Sequence, residues 1–130
     1  MPQIGTKGSE LDLLIRQGAT FGPNTCRLTN QDSTPINLTG ATLRAQVRKT
    51  PTSTLVPGAT GTFVITNAAN GEFTWSFTAA ATTAMPAGSE SETETSSIYV
   101  WDMELEDSIG RVIPLLYGKV YVFREVTKVD

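Results

Sequence analysis

Four carboxylates lie close together in this chain: Asp102, Glu104, Glu106 and Asp107. Paired carboxylates do general acid–base work in glycoside hydrolysis when they face each other across a sugar. Clusters of them also bind calcium. In "SIYVWDMELED" the first three fall at every second position. An extended strand puts such residues on one face, ~6–7 Å apart along it. That separation suits a carboxylate pair, but neighbours on one strand project in parallel and do not close on a substrate from two sides. "DMELEDSIG" also lacks the ligand order of a calcium loop. We read these residues as a solvated outer strand face, with no catalytic and no metal-binding role.

The second acidic feature is "SESETETSS", where Glu90, Glu92 and Glu94 alternate with Ser and Thr. Such a run has too little apolar area to offset the cost of ordering, so it reads as a solvated excursion. Alternatively it is an interface element that orders against a basic partner. On the second reading Glu90, Glu92 and Glu94 are the candidate partner contacts.

Other chemistry is scarce. The chain has no histidine, which removes Ser-His-Asp and Cys-His nucleophile systems and His-based metal sites. Its one cysteine, Cys26, forms no intrachain disulfide, and no cationic helix end flanks it to activate a thiolate. The aromatics Trp75, Phe77, Tyr99 and Trp101 suggest a sugar-stacking platform, but alternation puts each on its strand's apolar face, which favours core packing. No glycine cluster forms a phosphate cradle between strand and helix. Asn37-Leu38-Thr39 matches a glycosylation triplet but sits in a turn-rich stretch. The sequence therefore suggests no cofactor and no enzymatic activity.

The elements that position these residues read as β almost throughout. "LDLLIRQ" (11–17) alternates, and "GPN" breaks the pattern at Gly22 to Asn24 before a short strand "TCRLTN". "ATLRAQVRKT" sets Leu43, Ala45 and Val47 against Thr42, Arg44, Gln46 and Arg48, one face dry and one wet. "PTSTLVPGATG" reads as a loop. "TFVIT" and "EFTWSFT" flank "NAANG", whose Asn70-Gly71 suits a hairpin. Thr78 is placed to cap a short helical turn over Ala79 to Ala84, which Pro86 stops. Tyr99, Trp101, Met103 and Leu105 then share one face of a strand, with Ile98, Val100, Asp102 and Glu104 on the other. In "VIPLLYGKVYVFREV", Pro114 points to an edge or bulge and Gly118 to a bend. Seven to eight short antiparallel strands with one helical turn predict an all-β, immunoglobulin-like antiparallel β-sandwich. A flexible amino-terminal arm over 1–10 and a single domain over 11–130 follow.

The totals agree with one domain: 130 residues, net charge -3, with 10 basic and 13 acidic residues. No basic stripe invites nucleic acid. No apolar run approaches a membrane span and the amino terminus has no signal-like apolar region, which predicts a soluble protein made in the cytosol with no membrane partner.

"LTGATLRAQVRKTP", "NGEFTWSFTAAATTAMPAG" and "YVWDMELEDSIGRVIPLLYGKVYVFREVTK" occur in that order. Together with "DLLIRQGATF" they resemble a family of small virion proteins of tailed bacteriophages, often encoded among tail, baseplate and fibre genes. The resemblance covers nearly the whole chain. It also looks similar to the Ig-like amino-terminal domain of upper baseplate proteins from phages of lactic bacteria. The family pattern runs almost directly from "PAG" to the aromatic strand, whereas this chain inserts "SESETETSS". The resemblance implies a structural virion component, assembled in the host cytoplasm. It would be a tail or baseplate protein linking the tail to fibres, working as a symmetric homo-oligomer beside other virion proteins. It brings no catalytic residues. Two alternatives stay open: a head decoration or head–tail neck protein, and a carbohydrate-binding adsorption module.

Overall fold

Period-2 alternation of apolar and polar side chains organises the computed structural model of this chain, which describes residues 8–87 and 96–124. Among the described residues nine strands form two sheets. They are β1 (Ser9–Glu10), β2 (Leu13–Arg16), β3 (Phe21–Arg27), β4 (Thr42–Arg48), β5 (Leu55–Thr60), β6 (Thr62–Asn67), β7 (Glu72–Phe77), β8 (Ser96–Glu106) and β9 (Val112–Phe123). One sheet, here sheet A, runs β1-β9-β8-β4-β5, with β2 also on β9; the other, sheet B, runs β3-β7-β6. Taking β3 to β9 as strands B, C, C′, D, E, F and G reproduces the immunoglobulin topology. The pairs are antiparallel except β1 and β2, which lie parallel to β9.

The inner faces meet in one core. Phe73, Trp75 and Phe77 of β7 and Tyr99, Trp101, Met103 and Leu105 of β8 are all buried, as alternation predicts. Trp75 and Trp101 stack across the sheets with ring centres 5.4 Å apart and an 18° interplanar angle. The stack joins strand E to strand F, whereas the antibody-domain disulfide joins B to F. The Tyr99 hydroxyl donates to the Pro86 carbonyl at 2.7 Å. This is a tyrosine corner: a Tyr near the start of strand F tied back to the chain that enters it.

Helix α1 (Ala79–Ala84) joins β7 to β8, and the Thr78 hydroxyl caps it by accepting from the Ala81 amide at 3.1 Å. The buried Thr82 hydroxyl donates to the Ala19 carbonyl at 2.8 Å and anchors the helix. The expected hairpin turn is a 3-10 turn over Ala68–Asn70 that ends on Gly71 at φ 71°.

Several expectations need correction. "GPN" does not break a strand: β3 runs through it, with a register irregularity between Phe21 and Asn24 that absorbs Gly22 and Pro23. "LVPGAT" is not a loop but β5, which pairs with β4 at Gln46–Thr60 and Arg48–Leu55. The arm does not extend to residue 10, because Ser9 and Glu10 pair with Leu116 and Tyr117; residues 1–7 lie outside the described residues. Pro114 does mark a bulge, since Leu116 opposes Met103 and Pro114 opposes Glu104, leaving Leu115 extra. Gly118 serves close approach, because a Cβ there would collide with the Leu11 carbonyl. That carbonyl accepts the Trp101 indole N–H at 2.8 Å, so Gly118 makes room for the bond that fixes Trp101.

Candidate interaction surface

The outer face of sheet A carries the carboxylates singled out above, and cross-strand register decides their neighbours. Arg44 stands opposite Glu104, Gln46 opposite Asp102, and Asp102 in turn opposite Tyr117. The Arg44 guanidinium reaches Glu104 at 3.6 Å and Glu106 at 3.3 Å. All three side chains remain roughly two-fifths exposed, so the pairs order the face and contribute little stability. Arg48 donates to the Ser53 carbonyl at 2.8 Å and to the Gln46 amide oxygen at 3.0 Å.

Gln46, Arg48, Asp102, Glu104 and Tyr117 rim a cleft of about 340 Å³ over Val100, Trp101 and Gly118. Partial burial raises the Asp102 carboxyl above its ordinary range. The Glu104 charge adds to this, and Arg48 pulls the other way. Asp102 and Glu104 rise from adjacent outward positions of one strand and do not close across the cleft. Asp107 is engaged elsewhere, in the β8–β9 turn. It accepts from the Ile109 amide at 3.1 Å, the Arg111 amide at 2.8 Å and the Arg111 guanidinium at 2.7 Å.

Towards the start of β8 the same face turns apolar. Leu14, Tyr121 and Ile98 form one row across β2, β9 and β8, with Phe123 beside it. Leu14 is 65 % exposed and Ile98 59 %. The sequence holds a signal that alternation alone passes over: Leu14 and Ile98 are apolar residues at positions where the pattern asks for polar ones.

Glu90, Glu92 and Glu94 lie outside the described residues. Both flanks of their segment are held. The Gln17 side chain donates to the Met85 carbonyl at 2.7 Å, Tyr99 holds Pro86, and the Arg124 guanidinium donates to the Ala87 carbonyl at 3.3 Å. The described residues before the segment are thus tied to the sheets. The chain re-enters the sheet at Ser96, opposite Phe123, beside the apolar row.

The aromatics considered as a sugar platform are interior: Trp75, Phe77, Tyr99 and Trp101 are each at most 8 % exposed. Cys26 is half-buried beside an apolar crevice of about 140 Å³ that Phe73, Met103 and Leu115 help line. Burial pushes its thiol up, partly offset by the Trp75 indole, so it is held as a neutral thiol. Among the described residues no group of three or more Cys, Asp or Glu is placed to bind a metal. No family model matches the chain, and no curated protein matches it.

Proposed function

We propose that this chain is a structural component of a tailed-bacteriophage virion, a tail or baseplate protein that links the tail to fibres by protein–protein docking. The observation that carries the reading is the resemblance of nearly the whole sequence to small virion proteins of that class. The geometry offers a physical means. An immunoglobulin-like sandwich presents a sheet face with an apolar row, Leu14, Tyr121 and Ile98, beside a band of paired charges. Apolar surface exposed in such a patch marks a contact site. Glu90, Glu92 and Glu94 precede Ser96, where the described chain enters β8 beside that row, and are the candidate contacts for a basic neighbour.

The test is quantitative mass spectrometry of density-purified particles of the phage that encodes the chain. The reading expects the protein in particles at a fixed stoichiometry to the tail proteins. Recovery from infected-cell lysate but never from particles would sink it. A Leu14→Asp/Ile98→Asp double variant should fold normally and be lost from particles.

A further inference from the structure

Among the described residues each sheet of the sandwich ends in two edges, and three of the four are guarded. The β1–β2 edge is split into two pieces at Leu11 and Asp12 and carries Glu10, Asp12 and Arg16. The β3 edge is disrupted between Phe21 and Asn24, where Pro23 has no amide to offer, and ends in Arg27. The β5 edge has its own register irregularity, contains Pro57, and lies beside α1. Breaks, charges, prolines and a covering helix are the devices that keep a strand edge from pairing with another chain.

β6 is less protected: among the described residues its register irregularity, between Ile65 and Asn67, lies at its end and leaves Thr62 to Ile65 in unbroken register with β7. Over Thr62 to Thr66 it has no charge, no proline and no glycine, and four of those five residues are β-branched. Among the described residues it pairs only with β7, and its other side is open. Val64 is 55 % exposed and Ile65 39 %, on opposite faces of the strand. Ile65 shares the inner face with Phe63, yet at the sheet edge it stays substantially exposed.

We propose that β6 is a self-docking edge: two copies of this chain pair their β6 strands antiparallel across a two-fold axis through Val64, joining two three-stranded sheets into one continuous sheet. The sequence is self-complementary in this register. Val64 meets Val64 of the other copy on the outer face. Phe63 meets Ile65, an aromatic against a β-branched side chain, on the inner face. Thr62 meets Thr66. Each is a favourable cross-strand pair, and no like charges are opposed. A register one residue off would set inner-face residues beside outer-face ones, so the pattern selects among alignments. The contact is isologous and closes on itself, giving a dimer and no open fibre. The proposal deepens the docking reading and rests on its premise that the chain acts through protein–protein contact. It does not need the partner to be a virion protein.

The test is sedimentation equilibrium of the full chain from micromolar to near-millimolar concentration. A reversible monomer–dimer equilibrium is expected. Val64→Lys should weaken it by roughly ten-fold or more, since two lysines then face each other across the axis, while the thermal midpoint measured at dilutions where the parent chain is monomeric stays unchanged. In a Cys26→Ala background, Val64→Cys should give a disulfide-linked dimer on mild oxidation. Thr25→Cys, on the guarded β3 edge, should not. A chain that stays monomeric throughout overturns the proposal. So does a dimer that ignores Val64→Lys and fails to cross-link through Val64→Cys. A monomeric chain that still enters particles removes the β6 contact and leaves the virion reading standing; a β6 dimer absent from particles does the reverse.

Discussion

The two faces of β8 share one backbone and have opposite fates. Inward, Tyr99, Trp101, Met103 and Leu105 are buried against β7 and bind the two sheets together. Outward, Ile98 is exposed, Val100 floors a cleft, and Asp102, Glu104 and Glu106 meet water and arginine. The inner face specifies the fold, and any sandwich of this kind needs something like it. The outer face contributes little to stability and is available for contact. On this account changes to the inner face move stability, and changes to the outer face move assembly.

The sharpest way to break the comparison is Trp101→Ala, which removes the stack on Trp75 and the bond to the Leu11 carbonyl and should cost ~3–5 kcal/mol in urea denaturation. Gly118→Ala tests the same joint from the other side: its methyl meets the Leu11 carbonyl, for an expected loss of roughly 1–3 kcal/mol. Tyr99→Phe removes only the tyrosine-corner bond and should cost about 1 kcal/mol. An outer-face residue should behave differently. Asp102→Asn should raise stability slightly at neutral pH. The Asp102 carboxyl is raised in the folded state, so the folded chain holds that proton more tightly than the unfolded chain. Its ionised form is therefore a liability that sets in as pH rises through the carboxylate range, and the gain from Asp102→Asn should vanish on acidification below that range. Smallest of all should be deletion of residues 89–95. Because the flanks are pinned at Pro86 and Ala87, the thermal midpoint should stay nearly the same. A large drop would make the excursion part of the framework.

The sequence made much of the fold legible because most strands bury one face and expose the other. In β4, β7 and β8 period-2 alternation located the core residues directly. It failed where backbone geometry overrides side-chain pattern. Gly22 and Pro23 look like a chain break, but a register irregularity lets β3 carry them. The β5 sequence contains proline and glycine, yet it pairs along β4. In β9 the extra residue Leu115 shifts the alternation, which hid Leu115, Val120 and Val122 as core residues. The surface was less legible for a different reason. An apolar row across three strands is a property of register, and Leu14, Tyr121 and Ile98 are far apart in the chain. The β6 edge is likewise defined by comparison with the guards that the other three edges carry.

A reconstruction of the intact phage particle tests the central claim most directly. The account predicts symmetric copies of this nine-stranded sandwich at the tail end, with the Leu14–Tyr121–Ile98 face against a neighbouring subunit. Particles complete and infectious without the sandwich anywhere in their density would contradict it.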